Sequence, residues 1–175
     1  MASPARFAHY VLRTNRLDEL TRWYCTLLDA HVVFTDGKLT FITYDEEHHR
    51  IALVAAQPYL EKPEQTQVGF FHSAYAYDSL GALLSNYERL RDLGILPARC
   101  INHGPTLSFY YRDVEQNEVE LQVDAFANAA EATAFMRGDA FARNPIGLLR
   151  DPEELVRRHR AGEPDAVLLR RPDAL

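Results

Sequence analysis

The stretch Phe7–Leu28, FAHYVLRTNRLDELTRWYCTLL, is answered 63 residues later by FFHSAYAYDSLGALLSNYERLR over residues 70–91. The shift lays His9 on His72, Leu17 on Leu80, Leu20 on Leu83, Tyr24 on Tyr87 and Leu27 on Leu90. A self-match at a fixed period indicates one structural unit built twice. In each copy an aromatic and β-branched run reads as a strand, Phe7–Leu12 first and Val68–Tyr77 second. Leu17, Leu20, Tyr24, Leu27 and Leu28 then recur at helical spacing, as do Leu80, Leu83, Leu84, Tyr87 and Leu90. Asp78 or Ser79 is an N-cap for the second helix and Gly94 a stop.

A second block repeats with a shift of 68. Thr40-Phe41 falls on Ser108-Phe109, Asp45 on Asp113, Glu47 on Glu115, Ile51 on Val119 and Leu53 on Leu121. Three short strand-like runs follow each helix. They are His31–Thr35, Leu39–Tyr44 and Arg50–Ala55 in the first copy, with Asp36-Gly37 as a hairpin turn. In the second they are Ala98–His103, Leu107–Arg112 and Glu118–Val123. Each copy is therefore βαβββ, at about 5–57 and 66–125, and the fold class is α+β. Residues 1–125 are expected to form one metal-binding domain whose two sheets close around a shared cleft. Residues 126–175 have no counterpart in the repeat and read as a helical extension, with helices over Ala129–Arg137 and from Asp151 to about Gly162. Asp151-Pro152-Glu153-Glu154 supplies a cap, a proline at the first helical position and acids near the positive dipole end.

Composition narrows the function. The 175 residues are 47% hydrophobic and 25% charged, enough for a packed core. A net charge of −6 argues against a nucleic-acid or anionic-membrane partner. No apolar run approaches the roughly 20 residues that span a bilayer. Arg6, His9, Arg13 and Arg16 interrupt any signal-peptide core. Cys25 and Cys100 read as reduced thiols, and the expectation is a cytoplasmic protein. A small domain with an added helical tail suits a homo-oligomer.

Equivalent positions of a pseudo-symmetric pair face a common axis, so His9 and His72 are candidates to converge. The plain alternative is two unrelated half-buried histidines, and their match under the repeat speaks against it. Glu120 adds to the case. In Glu118–Val123 alternation puts Val119, Leu121 and Val123 on one face and Glu120 and Gln122 on the other. A mid-strand carboxylate in a dry cleft needs a partner. Ala52 stands where the first copy would carry the equivalent of Glu120. The outcome is a metal site of two histidines and one carboxylate with open positions, typical of non-haem Fe(II) enzymes that admit substrate and O2. Tyr110 lies ten residues before Glu120 on the preceding antiparallel strand, placed to face the same cleft. Read alone, Tyr110 is equally a core aromatic and His48-His49 a pair of solvated turn residues.

The run Ile101-Asn102-His103, Phe109-Tyr110, Asp113 and Glu120 resembles the signature of type I extradiol ring-cleavage dioxygenases, of the vicinal oxygen chelate superfamily. Val114 and Gln116 depart from the Pro and Gly usual in its turn. Tyr44–Leu53 resembles the family's double-histidine segment. Asn144-Pro145-Ile146-Gly147 and the helix after it are similar to the tails of short one-domain members related to dihydroxybiphenyl dioxygenases. The resemblance implies Fe(2+) on His9, His72 and Glu120, with Mn(2+) the alternative ion. It also implies His49 as the acid/base that stabilises an anionic oxygen species, and His103 and Tyr110 as donors to substrate oxygens. The substrates would be a catechol, bicyclic ones included, and O2. Two other readings stay open: an isomerase or thiol transferase of the same superfamily, and a metal-free module that binds an aromatic ligand. Ala52 disfavours the glyoxalase version, which takes a carboxylate from each half.

Overall fold

A computed structural model describes residues 3–62, 64 and 68–171, so the expected module start at 66–67 and the end of the extension at 172–175 lie outside the described residues. The chain divides into two compact units. One comprises residues 1–71 with 113–117, the other 72–112 with 118–175.

The first unit is β1 (Tyr10–Thr14), α1 (Leu17–Leu28), β2 (His31–Thr35), β3 (Leu39–Thr43) and β4 (Ile51–Ala55), in sheet order β1-β4-β3-β2. β1 runs parallel to β4, and the other pairs are antiparallel. Leu20, Tyr24 and Leu27 of α1 are buried, as are Ile42, Ile51 and Leu53 of the strands that α1 packs on. Residues Asp113–Asn117 complete this unit: the Glu115 carboxylate accepts from the Thr14 hydroxyl and the Asn15 amide, each at 2.7 Å.

The second unit repeats the plan as β5 (His72–Tyr77), α2 (Leu80–Asp92), β6 (Arg99–Asn102), β7 (Thr106–Arg112) and β8 (Glu118–Asp124). It then adds α3 (Ala129–Met136), α4 (Asp139–Arg143), β9 (Leu148–Leu149), α5 (Pro152–Arg160) and α6 (Asp165–Leu169). Its sheet order is β5-β8-β7-β6-β9. The Ser79 hydroxyl caps α2 at the amide of Ala82, and the Asp151 side chain caps α5, with Pro152 in its first turn. Leu83, Leu84, Tyr87 and Leu90 share the core with Leu107, Phe109, Val119 and Leu121, and Tyr87 meets Phe109 edge to face at 5.4 Å.

The α+β class and the doubled βαβββ plan hold. Three details of the repeat differ from the expectation. β1 begins at Tyr10, which leaves His9 just ahead of the strand, and β5 begins at His72 rather than Val68. Residues 68–71 are exposed and make no strand pairing. The third difference is a register. Val11 pairs with Ala52 as Ala74 pairs with Glu120, which bears out both shifts. Phe41, however, stands opposite Ala52 where Tyr110 stands opposite Glu120, so β3 corresponds to β7 at a shift of 69. Thr40 thus matches Phe109 on the helix-covered face, and Phe41 matches Tyr110 on the other. Between the paired strands the first copy carries residues 43–50 after Ile42, and the second carries 112–118 after Tyr111, one residue fewer. The tail strand β9 was not anticipated, because a two-residue strand leaves no periodicity to read.

Candidate active site

In the second unit the face of the sheet away from α2 gathers the candidate site residues His72, Tyr110 and Glu120. The register sets His72 and Ala74 of β5 beside Glu118 and Glu120 of β8, and Glu120 directly opposite Tyr110 of β7. Alternation sends Val119, Leu121 and Val123 into the core and leaves Glu120 on the polar face, as expected. Glu120 is nevertheless only 5% exposed, and its Oε2 stands 3.0 Å from Nε2 of His72. Two ligand atoms each about 2.1 Å from one ion and at right angles about it stand roughly 3.0 Å apart. The pair therefore suits two neighbouring metal ligands, and equally an imidazole N–H donated to a carboxylate. A buried carboxylate and a neutral imidazole are donors that a divalent cation of intermediate hardness accepts.

Tyr110 meets His72 edge to face at 5.8 Å, and its hydroxyl lies 2.8 Å from Nε2 of His103. Burial, reinforced by the charge of Glu120, pushes the phenol well above its ordinary pKa, while Arg99 opposes that shift. At neutral pH Tyr110 is a protonated donor. Arg99 was not foreseen. Its guanidinium lies 4.2 Å over the Tyr110 ring and forks onto Glu118 through two bonds of 2.7 Å. That fork holds the Glu118 carboxyl below the usual carboxylate range. A charged residue at an inward strand position was its only sequence signal.

In the first unit His9 and His49 come together, with ring centroids 4.3 Å apart. His49 is buried and stacks on Phe41 at 4.3 Å and 14°. Its Nδ1 is 2.6 Å from Nδ1 of His48, so one of the two nitrogens carries the shared proton. Burial first, then the neighbouring His9 and His48 rings, hold the His49 pKa below the usual histidine value. Phe41 was also missed, because the match at a shift of 68 put it on the core face. Ala52 lies buried in the pairing position that Glu120 occupies in the other copy.

Each unit thus assembles part of the expected constellation: His9 with His49 in one, His72 with Glu120, Tyr110 and His103 in the other. Within either unit taken by itself, no three His, Cys, Asp or Glu side chains gather to hold a metal among the described residues.

Residues 6–121 match the family described as Glyoxalase/Bleomycin resistance protein/Dioxygenase superfamily. The chain is 47% identical over 164 residues to biphenyl-2,3-diol 1,2-dioxygenase 2 of Rhodococcus globerulus, covering 94% of this chain and 86% of that one. To biphenyl-2,3-diol 1,2-dioxygenase 3 of the same organism it is 43% identical, covering 100% and 93%. Among solved structures, a lactoylglutathione lyase from Agrobacterium tumefaciens superposes with a TM-score of 0.57 at 19% identity, covering 70% of this chain and 96% of that one. The fosfomycin resistance protein FosX of Listeria monocytogenes does so at 0.55 and 17%, covering 74% and 99%. These solved structures share the fold. A doubled βαβββ plan, a family match spanning residues 6–121 and relatives at this identity place the protein in the Glyoxalase/Bleomycin resistance protein/Dioxygenase superfamily.

Proposed function

We propose that this chain is an extradiol dioxygenase, which opens the aromatic ring of a catechol beside the diol and incorporates both atoms of O2. The observation that carries this reading is the buried Glu120, 3.0 Å from His72 and directly opposite Tyr110, on a sheet whose first copy has Ala52 and Phe41 at the corresponding places. Curated relatives that act on biphenyl-2,3-diol support it and favour a bicyclic catechol.

The paired modules over residues 1–125 would act as one metal-binding domain, with His9, His72 and Glu120 as ligands of Fe(2+). The ion, when bound, supplies the Lewis acidity that lowers the catechol pKa and a meeting place for the diol and O2. The remaining work falls to the chain. His49, neutral at physiological pH, is the base that takes a catechol proton through the ring nitrogen not engaged with His48. His48 is largely exposed, which gives that proton a neighbour on the way to solvent. Tyr110 keeps its proton and donates to a developing anionic oxygen, and His103 fixes the direction of its hydroxyl. Phe41 stacks on His49 and keeps water from one face of its ring.

No described helix is long and apolar enough to cross a membrane. A reduced, buried Cys100 supports a cytoplasmic setting. Homo-oligomerisation fits the edge strand β2, where Val32, Val33 and Phe34 are all exposed.

The test is a panel of mono- and bicyclic catechols given to protein loaded anaerobically with iron and then opened to air. A yellow ring-cleavage product is expected. If the panel gives no colour, and Mn2+, Zn2+ or Ni2+ supports isomerisation or thiol addition instead, the rival superfamily chemistry takes its place. If His9→Ala leaves aromatic-ligand binding unchanged and the native protein holds no metal, the binding-module reading takes its place.

A further inference from the structure

The extension beyond residue 124 makes an unusual set of contacts with one short segment, Asn102-His103-Gly104. This segment is the turn from β6 into β7, and it carries the histidine whose Nε2 meets the Tyr110 hydroxyl at 2.8 Å. Site residues on loops are held less firmly than those on strands. Here the loop is immobilised from four sides.

Arg171 provides the first hold. It is 7% exposed, and its guanidinium donates to the carbonyl oxygens of His103 at 3.1 Å, Asn144 at 2.8 Å and Ala140 at 2.6 Å. It also lies 5.0 Å over the Phe135 ring. A buried guanidinium is costly unless its donors are used, and this one spends its fork on joining three separate segments. Asn102 provides the second. Its fully buried side chain donates to the Leu169 carbonyl at 2.8 Å and accepts from the Gly104 amide at 2.9 Å.

The third hold is the Asn144–Gly147 loop. Asn144 both accepts from and donates to the Gly147 backbone at 2.9 Å, and so closes the loop on itself. Gly147 has φ of +96°, and a Cβ there would lie 2.1 Å from the Asn102 carbonyl oxygen and 2.7 Å from the His103 Cα. Only glycine permits that approach. The fourth is Phe135, whose ring edge would be 2.1 Å from a Cβ at Gly104. β9 seals the arrangement by pairing with Ile101 and Asn102.

We infer that the C-terminal extension is a positioning device for His103, with Arg171 as its key positioning residue. Through His103 it sets the direction of the Tyr110 hydroxyl. The inference rests on the dioxygenase reading for its consequence in turnover, but the placement of His103 is measurable without turnover. A displacement of about 1 Å at a catalytic donor is worth up to roughly a hundredfold in rate.

The experiment compares Arg171→Ala and Arg171→Lys, each alone and combined with His103→Ala, in the full chain. In Arg171→Ala the expected result is a kcat lower by about tenfold with a catechol KM within threefold of the native value. Arg171→Lys recovers part of the loss, and Arg171→Ala has no further effect once His103 is Ala. In 15N-histidine-labelled protein the His103 ring resonances shift or broaden in Arg171→Ala while those of His31 stay in place. Equal losses with and without His103, or native-like His103 resonances in Arg171→Ala, would overturn the inference. If Arg171→Ala does not fold, Phe135→Leu loosens the same turn and is read in the same two ways. Native protein that cleaves no catechol defeats the functional reading alone, because the resonances still report on His103.

Discussion

The two copies of the βαβββ unit share a frame and differ in what they put on it. Both pack a helix through Leu-Leu-Tyr-Leu positions, and both pair their first and last strands in parallel with the same register. On the face away from the helix the first copy has Ala52 and Phe41, where the second has Glu120 and Tyr110. The turns between their second and third strands also differ. In the first copy Asp36 accepts from the amides of Lys38 and Leu39 at 2.8 Å, so the turn closes on its own side chain. In the second the turn carries His103 and is held by the extension. A duplicated fold can thus keep the helix-covered face constant and specialise the other, because alternation along a strand separates the two faces.

The largest effect is expected at Tyr110. Tyr110→Phe makes the second copy like the first at this place, and kcat is expected to fall by about 10²–10³, the cost of removing one donor to a developing anion. Steady-state kinetics check it, with KM little changed. Ala52→Glu makes the reverse change. It should leave the metal bound, as measured by metal analysis, and lower turnover by roughly tenfold or more, because a fourth protein ligand takes a place that substrate or O2 needs. Leu20→Ala and Leu83→Ala probe what the copies share. Both sites are fully buried, so denaturant unfolding should show each losing about 2–5 kcal/mol, with kcat unchanged in the folded protein.

The smallest effect is expected at Asp36. Its carboxyl is held below its ordinary pKa of 3.8 by the amides of Lys38 and Leu39. A depressed folded-state pKa contributes stability above the unfolded value, and this is lost as pH falls through the folded value. Asp36→Ala should therefore lower Tm slightly near pH 7, and the difference from native protein should shrink below pH 3.8 in thermal melts.

Much of this was legible in the chain itself. Matched leucines and tyrosines revealed the duplication, because helix-facing positions in both copies answer to the same packing. The ten-residue spacing of Tyr110 and Glu120 across a short antiparallel turn placed both toward one cleft, and the register sets them directly opposite each other. What escaped depended on chain length or on distant contacts. One residue more before β4 displaced the β3 match, and the likeness of Thr40-Phe41 to Ser108-Phe109 concealed it. Arg99 and Arg171 draw their roles from partners 19 and 68 residues away. No local pattern encodes such partners.

On the proposed reading, Glu120, where the first copy has Ala52, would turn a shared frame into a metal centre for oxygen chemistry. The most direct test of this claim is Glu120→Ala, loaded anaerobically with Fe2+ beside the native protein and given biphenyl-2,3-diol and O2. The expected result is one iron per native chain and one O2 consumed per yellow product formed, with both iron binding and product lost in the variant. A variant that keeps its iron and its turnover would contradict the claim.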